Sequence, residues 1–137
     1  MGRPRSFDEQ VAVIRAGDLF AELGYEGASV DDLVRALGIH RGSLYSAFGS
    51  KRALYLRVLR GHVEALEDAA TDADLTLLLR AAVERAPVDE EAATLVRRGL
   101  AALEDGLPPG PGSTLAQLLG DHLIRRATGA TPTRETT

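Results

Sequence analysis

A chain of 137 residues can bury a real core but is short for two independent domains. It holds no cysteine, which excludes disulfides, thiolate metal sites and cysteine nucleophiles and fits a reducing cytoplasm. The net charge of −4 hides an uneven split: residues 1–60 carry nine Lys or Arg against seven Asp or Glu, net +2, and residues 61–137 carry seven against thirteen, net −6. An acidic total therefore does not exclude nucleic acid, because phosphate attraction depends on the face presented to it. No uncharged apolar run approaches membrane-spanning length, and the basic N-terminus leads into "SFDEQ" instead of an apolar segment, so the expectation is a soluble, unexported, cytoplasmic protein. With 45% apolar residues, 4% aromatics and no Trp, the core must be Leu, Val and Ala.

Residues 1–6 read as an arm, because Gly2 and Pro4 oppose helix. From Phe7 to Leu23, Phe7, Val11 and Ile14, with Val13, Ala16, Phe20 and Leu23 on an adjoining face, recur at helical spacing until Gly24. Tyr25 starts a loop and reads as packing.

The stretch from Ser29 to Ser50, "SVDDLVRALGIHRGSLYSAFGS", reads as a helix-turn-helix. Ser29 can cap the first helix, with Asp32 completing a capping box and Asp31 favoured by the helix dipole. Val30, Leu33, Val34 and Leu37 share a face, and Gly38 supplies the left-handed residue that ends the helix. The second helix begins near His40. Leu44, Ala47 and Phe48 point inward, which leaves Arg41, Gly42, Ser43, Tyr45 and Ser46 outside. Between Arg35 and Arg60 lie Arg41, Lys51, Arg52 and Arg57, with no Asp or Glu among them.

Ser50 caps a long fourth helix reaching about Ala70, with Leu54, Val58, Leu59, Val63, Leu66 and Ala70 as its stripe. A modest helix follows on Leu75, Leu78, Leu79, Ala82 and Val83. Asp89, Glu90 and Glu91 open another, whose stripe is Ala92, Val96, Leu100 and Leu103. "GLPPGPG" must loop. A last helix begins around Ser113, faces the core through Leu115, Leu118, Leu119, Leu123 and Ala127, and stops at Gly129. Residues 130–137 read as a disordered tail.

Residues 1 to about 60 resemble the N-terminal domain of the tetracycline-repressor (TetR) family of bacterial transcription regulators. The resemblance rests on the basic arm "MGRPRSF", on "FAELGYEGASV", on "LVRALGIHRGSLYSAFGSK" and on the helix opening at Ser50. It departs from the family at His40, where Ser or Thr is usual as cap, and at Ala28, where a hydroxyl is usual. The C-terminal part also looks cut down.

The fold expected is all-α: a three-helix DNA-binding domain over 1–49, then a helical dimerisation and effector region over 50–129 led by the long fourth helix. The function the resemblance implies is operator binding as a homodimer on a pseudo-palindrome, with repression and release by a small apolar effector among helices four to seven. The alternative is a truncated regulator that works as a protein-interaction module by pairing with a full-length relative.

The DNA-facing set is Arg3, Arg5, Ser29, His40, Arg41, Gly42, Ser43, Tyr45, Ser46 and Lys51. Arg3 and Arg5 are family-type arm contacts or merely a solubilising tail. Arg41 can read guanine bidentately or hold a phosphate. Ser43 and Ser46 can bond bases, phosphates or their own helix, and Gly42 permits close approach. Tyr45 either reaches a phosphate or is a half-buried core residue. Lys51, at a helix N-terminus, is the phosphate ligand. His40, His62 and His122 lack metal-ligand spacing, and Asp68, Asp72 and Asp74 lack the Gly and Glu of a calcium loop. No phosphate loop, nucleophile elbow or carboxylate pair marks an enzyme, and no cofactor or metal is expected.

Overall fold

The computed structural model describes residues 7–68 and 73–129, and among these the chain forms seven helices and no strand. They are α1 (Glu9–Leu23), α2 (Val30–Leu37), α3 (Arg41–Phe48), α4 (Lys51–Asp68), α5 (Thr76–Glu84), α6 (Glu90–Asp105) and α7 (Leu115–Thr128). The all-α expectation therefore holds. Arg3, Arg5, Ala70, Asp72 and the tail over 130–137 lie outside the described residues.

Most helix starts follow local capping chemistry. Asp8 accepts the amide of Gln10 at 2.8 Å to open α1, and the Ser50 hydroxyl accepts that of Ala53 at 3.0 Å to open α4. Asp89 accepts the amides of Glu91 and Ala92 to open α6. The last helix is capped by Thr114, one residue beyond the expected Ser113, because Gln117 completes a capping box with it.

Helix α4 is the spine. It packs against α6 on one side and α1 on the other, while α2 and α3 are held against α1 and α4. Leu54, Val58, Leu59, Val63 and Leu66 form its buried stripe as expected, and Tyr55 and Leu56 join them. Between α4, α5 and α6 the packing is tight: a Cβ placed on Gly99 would stand 2.8 Å from Leu78 Cδ1 and 3.3 Å from Val63 Cγ2.

In two helices the buried face is shifted from the expected one, although Ala16 and Phe20 in α1 and Leu75 and Leu78 at α5 are buried as expected. In α1 the buried residues are Ala12, Ala16 and Phe20, while Val11 and Ile14 are exposed, the latter by 65%. The reason is close approach. Small residues let α1 and α4 meet, and Gly17 lies so near α4 that a Cβ there would be 3.2 Å from Val58 Cγ1. In α5 the buried set is Leu77, Leu78 and Ala81, with Leu75 just before the helix, and the expected Val83 is exposed by 77%. The neighbours of α5, namely α6, α1 and α4, decide that rotation.

Helix α7 buries none of its residues completely. Leu115, Leu118 and Leu119 rest against the core, whereas Leu123 and Ile124 stand exposed.

Candidate nucleic-acid interface

The hairpin of α2 and α3 is built as its local residues dictate. The Ser29 hydroxyl accepts the amide of Asp32 at 3.0 Å, and the Ser29 amide donates to the Asp32 carboxylate at 3.0 Å. Those bonds hold the Asp32 carboxyl below its ordinary value. Gly38 ends α2 with φ 65° and ψ 31°, a left-handed conformation that lets the chain reverse into α3 without a Cβ clash. His40 precedes α3 and makes no side-chain cap bond, in keeping with the departure from the usual Ser or Thr.

Helix α3 is anchored by Leu44 and Phe48, which are buried, and by the partly buried Ala47 and Ile39. Phe48 meets Phe7 at 6.4 Å between ring centres, and the Arg57 guanidinium lies 5.3 Å over its ring. With that side committed to the core, His40, Arg41, Gly42, Tyr45 and Ser46 are exposed and Ser43 is half-buried. Tyr45 is 42% exposed, which settles it as a surface residue instead of a core one. A Cβ on Gly42 would meet nothing within 4 Å, so the start of α3 is open to a bulky neighbour.

The acid-free run of cations is a property of the chain, not of the surface. Arg41 hydrogen-bonds Asp31 of α2, and Arg35 lies 3.7 Å from Asp32. Arg52 pairs with Asp89 and Glu91 at the start of α6, and Arg57 pairs with Glu9 of α1 at 3.0 Å. The fold thus brings carboxylates from outside the run to four of its cations. Lys51 has its ammonium 4.4 Å over the Tyr25 ring, beside the α4 N-terminus.

Sequence reasoning misses two of these arrangements. Asp31 reads there only as a helix-dipole residue, although a hairpin turn between α2 and α3 makes a residue ten positions on a natural partner. The other is the cluster around Tyr25, whose ring meets Phe20, Tyr55, Lys51 and Arg85. Arg85 sits far along the chain from Tyr25, and no local pattern signals the pairing.

The three histidines stay apart, and no group of His, Asp or Glu able to hold a metal occurs among the described residues. Burial pushes the His62 imidazole below its ordinary value, and His122 lies 3.3 Å from the Thr76 hydroxyl and 3.5 Å from Asp74. Asp74 is exposed and accepts from Thr76 at 2.6 Å. Open clefts lie between α1, α4 and α5, about 700 Å³ and lined in part by Val13, Ile14, Val58 and Leu77, and between α1, α5 and α7, about 500 Å³ and lined in part by Ala21, Leu79, Val83 and Leu123.

Two short helices joined by a left-handed glycine, the second presenting basic, hydroxyl and glycine positions outward, define a helix-turn-helix of the DNA-binding class. Residues 15–58 match the family described as bacterial regulatory proteins, tetR family. The match covers the hairpin with most of α1 and the first half of α4, so it is the DNA-binding part of this chain that is similar to that family. Among relatives, it is 42% identical over 72 residues to the uncharacterized HTH-type transcriptional regulator YezE of Bacillus subtilis (strain 168), covering 53% of this chain and 37% of that protein. It is 45% identical over 62 residues to the HTH-type transcriptional repressor BdcR of Escherichia coli (strain K12), covering 45% and 32%. It is 36% identical over 86 residues to the HTH-type transcriptional activator FasR of Mycolicibacterium smegmatis, covering 59% and 39%. The alignments thus reach about a third of the length of these curated relatives. A solved structure, the TetR family transcriptional regulator PfmR from Thermus thermophilus, aligns with a TM-score of 0.48 at 22% identity over 91% of this chain and 88% of its own.

No helix among the described residues is long and apolar enough to cross a membrane.

Proposed function

We propose that this chain is a cytoplasmic, non-enzymatic DNA-binding regulator that places α3 in the major groove of an operator. The observation that carries the reading is the division of α3: Leu44 and Phe48 are sealed in the core, and Arg41, Gly42, Tyr45 and Ser46 are left on the outside. In this reading Arg41 reads a base edge, while Lys51, Tyr45, Ser43 and Ser29 hold phosphates, with His40 alongside. Arg3 and Arg5 belong to the same set as arm contacts.

Two such hairpins on one pseudo-palindrome require a dimer. The exposed Leu123 and Ile124 of α7 support association with a second copy, since an apolar helix face left in water favours burial against another chain. Repression by occluding a promoter is the mode we assign, and the BdcR repressor among the relatives supports it. A small apolar effector is assigned to the cleft between α1, α5 and α7, which touches the helix that props up the hairpin.

Selection of bound duplexes from a random pool, followed by titration, tests the proposal. A pseudo-palindromic consensus bound by a dimer is the result expected. A folded chain that binds no duplex even in dilute buffer would refute it. Light scattering on the chain alone separates the homodimer from the alternative of a module that pairs only with a full-length relative, which would be monomeric in isolation.

A further inference from the structure

We propose that Asp31 is a specificity-determining residue, which positions the Arg41 guanidinium for a base edge and weakens contact with random duplex. The inference rests on the DNA reading above and deepens it.

Asp31 lies in the first turn of α2 and Arg41 is the first residue of α3. The turn at Gly38 brings them together, so that Arg41 Nη2 donates to Asp31 Oδ1. The two side chains are 71% and 54% exposed, which puts the pair on the outer surface of the hairpin and not in its core. The neighbouring Asp32 is used differently, since its carboxylate closes the capping box with Ser29. The two acids therefore divide the work at the start of α2: Asp32 caps the helix and Asp31 reaches across to α3.

The chemistry of the guanidinium makes this contact compatible with reading. Asp31 occupies one hydrogen of Nη2, while the second Nη2 hydrogen and those of Nη1 stay available. Those are the parallel donors that the O6 and N7 atoms of guanine accept. A flexible arginine held by one carboxylate loses less freedom when it meets its base. On a random duplex the same carboxylate offsets the Arg41 charge, so less counterion release rewards binding there. Exposed ion pairs contribute little to folding, so the effect of this one falls on recognition.

The test titrates the full chain by fluorescence anisotropy at one fixed salt concentration. The probes are a duplex the chain selects from a random pool and an unselected random duplex. Asp31→Ala is expected to tighten binding to the random duplex and to lower the ratio of selected to random affinity about tenfold. The preference lost should be at the base pair that Arg41→Ala relaxes, and in an Arg41→Ala background Asp31→Ala should lower the ratio no further. Asp31→Asn, which removes the charge but keeps an acceptor, should tighten random binding while holding the preferred base. An unchanged ratio for Asp31→Ala, or an equal fall in both backgrounds, overturns the proposal and leaves DNA binding standing. A wild-type chain that binds neither duplex overturns the DNA reading and this proposal together.

Discussion

Arg52, in the first turn of α4, donates from Nε and Nη2 to the two carboxylate oxygens of Asp89 at 2.8 and 3.0 Å, and Asp89 is the residue that caps α6. One carboxylate thereby ties the helix that leaves the hairpin to the helix that forms the rest of the core. It is 8% exposed and is held from a third side by Arg85, 3.6 Å away. The paired Arg52 guanidinium holds the Asp89 carboxyl at about 2, below the usual 3.8. Tyr25 is part of the same junction, since the Arg85 guanidinium stands 4.1 Å over its ring and the Lys51 ammonium stands over that ring too.

Removing the Asp89 charge should destabilise the fold. Asp89→Asn keeps the cap but loses the ion pair and is expected to cost about 1.5–3 kcal/mol in denaturant unfolding. Asp89→Ala loses the cap as well, adding about 1 kcal/mol. A wild-type midpoint for Asp89→Asn would contradict the junction.

Acid should release the same contact. A carboxyl with a depressed folded value contributes stability above its unfolded pKa, and that contribution is lost as pH falls through the folded one. The Asp89 part should therefore be complete above about pH 4 and disappear toward pH 2. The difference in stability between wild type and Asp89→Asn, followed by circular dichroism, should shrink across that window.

Capping predicts opposite signs at two neighbouring helices. Ser29→Ala breaks the α2 capping box and should cost about 1 kcal/mol. His40 makes no cap bond, so His40→Ser should stabilise α3 by about 0.5–1 kcal/mol. Thermal melts of the two variants against wild type check both signs.

A phosphate contact is insensitive to sequence and sensitive to salt. Lys51→Ala should weaken binding about equally on selected and random duplexes, and should reduce the slope of log affinity against log salt by about 1. Lys51→Ala also removes the cation over Tyr25, so its melting midpoint is measured alongside to separate folding from binding.

The apolar end of α7 predicts association. Leu123→Lys together with Ile124→Lys should shift the chain from dimer to monomer in light scattering, with little change in helix content, because both side chains are exposed within one chain. Operator affinity should fall as the dimer is lost.

What the amino-acid sequence determined by itself is what depends on neighbours within a few residues. The Ser29 and Asp32 capping box, the left-handed Gly38, the Ser50 start of α4, the Asp89 start of α6 and the Gly129 stop are all local hydrogen-bond or backbone requirements. The α3 division was legible for the same reason, since Leu44 and Phe48 are four residues apart on one helix face. Tertiary structure alone decided how each helix is rotated and which charges meet. Helix α1 turns Ala12 inward and leaves Val11 and Ile14 in water, because close approach to α4 rewards small side chains over large apolar ones. The cations from Arg35 to Arg57 read as one strip, yet Glu9, Asp31, Asp32 and Asp89 reach them from outside that span. Periodicity shows that a helix has an apolar side, but which side is covered, and which acid answers which base, depends on the shape of the helices packed against it.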